Sequence, residues 1–147
     1  MSRRKFVVSL ALLGGALSVL PAVADADDSA APSGAVYWAK IGPAKDFPVN
    51  ALTFGSYPPE FGRGGVYVKR VDDKTASALS AKCVHRGCRV AFQPSENVFR
   101  CPCHHAQYSA AGEHLSGPGH GNLAVLLAKI EGGDVWVQSL TPPRSAG

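Results

Sequence analysis

Every cysteine of this 147-residue chain lies in one of two short stretches, CVHRGC from Cys83 to Cys88 and CPCHHAQY from Cys101 to Tyr108. Each stretch also carries histidine. The segment around them, 83–120, is rich in Gly, Pro and His and poor in aliphatic residues. Loops of this kind need a metal or a crosslink to keep one shape, because they have too little apolar surface to bury. Cys83, His85, Cys88, Cys101, Cys103 and His104 are six potential ligands, more than the four positions of one tetrahedral ion.

The flanking sequence reads as strands. VYWAKI (Val36 to Ile41), VNALTF (Val49 to Phe54), GVYVKRV (Gly65 to Val71) and TASALSAK (Thr75 to Lys82) are short β-type runs broken by turn residues. SYPPEFGRGG is a loop, since its prolines and glycines cannot continue a ladder. Towards the C-terminus NLAVLLAKI and DVWVQSL flank Glu131-Gly132-Gly133, a hairpin signal. No run after the first 24 residues has a sustained helical period with caps. The expected fold is an antiparallel all-β sandwich or barrel over 36–140, with a small loop-rich subdomain at 83–120 and a short tail at 141–147.

The first 24 residues have a basic start (Arg3, Arg4, Lys5), an apolar run from Phe6 to Leu20 and an Ala22-Val23-Ala24 end, the pattern of an export signal. Ser2-Arg3-Arg4-Lys5-Phe6 reads as a twin-arginine signal. The competing reading is a retained membrane anchor; Gly14, Gly15, Ser18 and Pro21 make the run a poor spanning helix. Residues 25–35 are polar and small and read as a linker. Without residues 1–24 the chain has 12 basic and 11 acidic residues, so its basic pI gives no support to nucleic-acid binding. Lys82, Arg86, Arg89 and Arg100 do cluster around the cysteines, as a solvated rim or as a steering surface for an acidic partner.

Three readings of the six ligands stay open on residue chemistry. A structural zinc site accepts Cys and His, but neither stretch has the usual paired-cysteine spacing. Two disulfides in an exported protein leave His85 and His104 without a role. A [2Fe–2S] centre with two thiolates and two imidazoles uses Cys83, Cys101, His85 and His104 and leaves Cys88 and Cys103 to join each other.

Cys-x-His-x-Gly-Cys followed by Cys-Pro-Cys-His resembles the signature of the Rieske iron–sulfur family. The resemblance is specific at the two loops and looser over the β domain. It implies the same four cluster ligands, a Cys88–Cys103 disulfide, and exposed imidazoles at His85 and His104 facing the redox partner. Gly117-Pro118-Gly119 is similar to the family's third loop, which shields the cluster. Centres of this kind lie at roughly −150 to +300 mV, and the extra cysteine pair resembles the high-potential branch. The family's twin-arginine route, implied by the same resemblance, exports a protein already folded around its cofactor.

The chain departs from the family pattern at three places. Where many high-potential members have Ser and Tyr as hydrogen-bond donors towards sulfur, this chain has Ala106 and Tyr108. His105 replaces a glycine and fits if that position needs positive φ; His105, His114 and His120 are expected to be surface residues, with His120 a candidate tuner of the cluster. Arg86 occupies the tip residue, which is commonly apolar in quinol-oxidising complexes, and an unpaired guanidinium is costly to bury. The expected function is therefore one-electron transfer outside the cytoplasm with no substrate chemistry of its own. The protein is read as a free carrier or as a small subunit resembling that of arsenite oxidase. Its partner would be a c-type cytochrome or a larger oxidoreductase subunit. The alternative is a membrane-anchored subunit of a quinol:cytochrome c reductase docking on cytochrome b.

Overall fold

The computed structural model describes residues 35–144. The expected signal and all but the last residue of the linker lie outside this span. So do the last three residues of the chain.

Two sheets form the body. The first has the order β1-β11-β10, from Tyr37–Pro43 (β1), Ala128–Glu131 (β10) and Asp134–Ser139 (β11). The second has the order β2-β3-β4-β9, from Leu52–Ser56 (β2), Gly65–Arg70 (β3), Ala76–Ser80 (β4) and Val125–Leu126 (β9). All these neighbours are antiparallel, as the alternating pattern predicts. Glu131 pairs with Asp134 across Gly132 and Gly133, both at positive φ, so the expected hairpin closes through a two-residue turn that glycine accommodates without strain.

The second sheet is buried on both faces, and its period of two explains how. Val66 and Val68 of β3 point into a core shared with Val135 and Val137 of β11. Tyr67, between them, points the other way, into a core with Phe99, Tyr108, Cys83 and Cys101. The rings of Tyr67 and Phe99 lie 4.8 Å apart, and Phe92 packs 5.0 Å from Phe99. The Tyr67 hydroxyl donates to the Val90 carbonyl at 3.1 Å and accepts from the Phe92 amide at 3.2 Å. One tyrosine thus fastens the cysteine-bearing segment to the body.

Two sequence expectations change in detail. NLAVLLAKI is not one strand: Val125–Leu126 pairs with β4 and Ala128–Glu131 with β11. The chain changes sheets at Leu127, which is 56% exposed, so the length of the apolar run reflects service in two sheets. The segment 83–120 is also more ordered than loops alone. It holds a four-stranded antiparallel sheet of Ala91–Gln93 (β5), Val98–Arg100 (β6), Gln107–Ser109 (β7) and His114–Ser116 (β8). Strands this short carry too few residues to show alternation.

Candidate metal centre

The two cysteine stretches become two six-residue loops of matching construction. The first, 83–88, is closed by the antiparallel bridge of Lys82 with Arg89; the second, 101–106, by the pairing of Arg100 with Gln107. In the first, the Cys83 amide donates to the Cys88 carbonyl at 2.8 Å, and the Cys83 carbonyl accepts from the Gly87 amide at 2.9 Å. In the second, the Cys101 amide donates to the Ala106 carbonyl at 2.8 Å, and the Cys101 carbonyl accepts from the His105 amide at 3.0 Å. The fifth residue of each loop is left-handed: Gly87 has φ 75° and His105 has φ 62°. His105 therefore does meet the backbone demand anticipated for it. Its side chain is exposed, in keeping with a surface role.

This construction buries the first cysteine of each loop and turns the next residues outward. Cys83 and Cys101 are unpaired thiols, each 2% exposed. Cys88 and Cys103 are joined as a disulfide that ties loop to loop. The His85 and His104 rings meet edge to face with centroids 4.8 Å apart. The Nδ1 atom of His85 is buried without a hydrogen-bond partner, although a buried polar atom ordinarily has one. The sulfurs of Cys88, Cys101 and Cys103 also lie within 4.8 Å of one another. Two of them are bonded to each other, so this proximity records a crosslink packed against Cys101 and not a three-thiolate site.

The Tyr108 hydroxyl lies 3.2 Å from the Cys83 sulfur in the buried core. Burial and the contact with Cys83 push its phenol up to about 12. Burial alone would push the Cys83 thiol up. Hydrogen bonds from Tyr108, from the His85 backbone, from the Cys101 side chain and from the Arg86 backbone outweigh it and hold the thiol below its ordinary value. A site that lowers a buried thiol in this way favours a metal-bound thiolate. Two reduced thiols, two neighbouring imidazoles and an orphaned ring nitrogen fit a centre that takes two sulfur and two nitrogen ligands.

The remaining candidates divide. Ala106 is fully buried, and Gly117 packs on it: a Cβ at Gly117 would lie 2.6 Å from the Ala106 Cα, and its φ is 87°. The third loop thus does reach the second. Gly119 approaches the first loop in the same way: a Cβ there would lie 3.2 Å from the His85 Cβ. Pro118, Arg86, His104 and His120 are exposed. His114 is a correction. It is half-buried on β8, with its ring 5.6 Å from that of Tyr108 and its Nε2 3.2 Å from the Gly117 carbonyl. Only the β7–β8 register brings it there, and nothing local in the sequence announces that pairing. The expected basic rim is also revised, because Arg100 pairs with Glu96.

Residues 37–129 match the model of the Rieske [2Fe-2S] domain. The chain belongs to that family: it is a Rieske protein that binds a [2Fe–2S] cluster. Among relatives, the cytochrome b6-f complex iron-sulfur subunit of Synechococcus sp. (strain JA-3-3Ab) is 42% identical over 57 residues, covering 39% of this chain and 33% of that one. Subunit 1 of the same complex from Nostoc sp. (strain PCC 7120) is 37% identical over 76 residues, covering 52% and 42%. The chain thus spans about a third to two-fifths of the length of these curated relatives. Among solved structures, the cyanobacterial plasma membrane Rieske protein PetC3 from Synechocystis PCC 6803 aligns with a TM-score of 0.51 at 28% identity, covering 67% of this chain and 96% of that one.

Proposed function

We propose that Cys83 and Cys101 bind one iron and His85 and His104 the other, and that the protein is the iron–sulfur subunit of an extracytoplasmic electron-transfer complex. The orphaned Nδ1 of His85, whose ring meets that of His104, together with the two reduced, buried cysteines that open the same two loops, is the observation that carries the ligand assignment. When bound, the cluster supplies a one-electron couple. The chain's own residues set its conditions. Tyr108 donates towards the Cys83 sulfur, and the buried walls keep water from both thiolates. With Nδ1 of His85 given to iron, Nε2 is the atom left to hold the exchangeable proton. His104 and the loop tips form the exposed edge through which an electron leaves.

The curated relatives, subunits of cytochrome b6-f complexes, favour a membrane-associated quinol-oxidising complex over the arsenite oxidase-like small subunit. Under that reading residues 1–24 are a retained anchor, 25–35 a tether and 36–140 the Rieske domain. Among the described residues no helix is long and apolar enough to cross a membrane. One observation favours a second reading, a carrier released after twin-arginine export. Arg86 stands exposed between His85 and Gly87, and burying its guanidinium unpaired in a quinol pocket is costly.

Anaerobic purification with iron and sulfide analysis and electron paramagnetic resonance tests the centre. The wild type should hold equal iron and sulfide and give a Rieske signal, and His85→Ala and Cys83→Ala should lose it. Colourless protein containing zinc would overturn the assignment. Mass spectrometry of the exported chain separates the two settings, since loss of residues 1–24 excludes an anchored subunit. Retention of those residues together with co-migration of a b-type cytochrome supports one.

A further inference from the structure

We infer that the surface running from Arg63 through Lys82 and Arg89 to the tip of the first loop is a docking face for an acidic, water-soluble electron-transfer protein. This rests on the Rieske reading above and goes beyond it by giving the partner's chemistry. The described residues carry 12 Lys and Arg against 8 Asp and Glu, and the excess is not spread evenly. Four of the cations, Lys40, Arg70, Arg100 and Lys129, have carboxylate partners elsewhere on the molecule. Eight cations are exposed and, among the described residues, have no carboxylate partner: Lys45, Lys69 and Lys74 line neither of the two hollows described below, and the other five are Arg63, Lys82, Arg86, Arg89 and Arg144.

The fold gathers four of these, Arg63, Lys82, Arg89 and Arg144, while Arg86 stands on the first loop next to Gly87. Lys82 and Arg89 face each other across the base of the first loop, and the Lys82 chain lies against Gly87. Arg63 comes from the distant β2–β3 connection to line a 280 Å³ hollow with both of them. A neighbouring hollow of 490 Å³ is lined by Arg63, Lys82 and Arg144. No Asp or Glu lines either hollow. Arg89 is held in place by its guanidinium, stacked 4.9 Å over the Phe54 ring. Gly87 lines the smaller hollow and lies two residues from His85, so an occupant of that hollow touches the same loop that carries the imidazole.

Recessed, unneutralised cations match carboxylate side chains projecting from a protein, whereas a flat anionic membrane would meet the convex loop tips and leave the hollows unused. Like-signed charge in a concave surface also focuses the field that accelerates encounter.

The test measures electron transfer from the reduced protein to an acidic c-type cytochrome and to a lysine-rich one, by stopped flow over a range of ionic strength. One electron passes to the ferric haem, leaving oxidised Rieske protein and ferrous haem. Binding of the ferrous acidic cytochrome to the reduced protein, where no electron moves, is followed by calorimetry. The acidic cytochrome should react at least about tenfold faster at low salt than at high salt, and the lysine-rich one should not. Arg63→Glu should lower rate and binding by roughly tenfold or more, Arg63→Lys should restore both, and Lys74→Glu, an equal charge change outside the patch, should leave them unchanged. Equal loss in Arg63→Glu and Lys74→Glu, or no preference between the cytochromes, overturns the proposal. So does loss of binding to phosphatidylglycerol vesicles in Arg63→Glu with unchanged cytochrome rates. A normal Rieske signal alongside any of these results leaves the electron-transfer reading standing; absence of that signal in the wild type removes the reading itself.

Discussion

The hydroxyl of Tyr108 lies 3.2 Å from the sulfur of Cys83, with Tyr108 fully buried and Cys83 2% exposed. A hydrogen bond to a charged acceptor contributes about 1.5–3 kcal/mol, and it stabilises a sulfur more as negative charge accumulates there. Tyr108→Phe should therefore lower the midpoint potential, by on the order of 100 mV for one electron. Ala106→Ser, which adds a donor on the second loop, should raise it. Protein-film voltammetry checks both; an unmoved potential in Tyr108→Phe would mean that the phenol does not tune the centre.

The matched loops separate backbone demand from ligand chemistry. Gly87 and His105 hold the same left-handed position, where a side chain costs about 1–2 kcal/mol. His105→Gly should raise stability by about 1 kcal/mol and leave the paramagnetic spectrum unchanged. Gly87→Ala should lower stability by a similar amount, since its new Cβ would also press on the Lys82 chain at 2.8 Å. Chemical denaturation of the two variants checks the pair. Loss of the cluster signal in His105→Gly would instead give that imidazole a ligand role.

The body strands and the glycine hairpin were legible because β1, β3 and β11 are runs of six or seven β-type residues bounded by turn residues. The centre was legible because few residue types bind metal, and here they crowd into two short stretches. Long-range relations were not. The role of Tyr67 as a rivet to Phe99 joins residues 32 apart in sequence, and the approach of Gly117 to Ala106 depends on a φ of 87° and on close packing. Arg63 gave no sign of joining Lys82 and Arg89, because a loop's landing place is set by the sheet beneath it. The half-burial of His114 is hidden for the same reason: a three-residue strand has no period to reveal which face it buries.

Tyr57 donates its hydroxyl to the Gln138 carbonyl at 2.7 Å, and partial burial pushes its phenol up to about 12. The folded state thus holds the proton more tightly than the unfolded chain, whose phenol titrates near 10. Stability from this group is fully present below about pH 10 and is lost as pH rises from about 10 to 12. Urea midpoints taken across this window should fall for the wild type. Tyr57→Phe should be less stable at neutral pH and should show a shallower alkaline decline; an unchanged decline would assign the effect to other groups.

The Cys88–Cys103 bridge closes a separation of 15 residues and is the only covalent link between the two loops among the described residues. Closing a loop of this length is worth about 3 kcal/mol in the unfolded-state entropy model. Both sulfurs adjoin Cys101, so the bridge also fixes where one buried thiol sits. Cys88→Ser with Cys103→Ser should lower unfolding free energy by about 3 kcal/mol, accelerate loss of iron to a chelator and shift the midpoint potential downward as water reaches the sulfurs. Denaturation, chelator kinetics and voltammetry separate these effects. Loss of stability with the potential unmoved would make the bridge a staple for the chain and nothing more; a fall in both would show that the loops depend on it to shield the thiolates of Cys83 and Cys101.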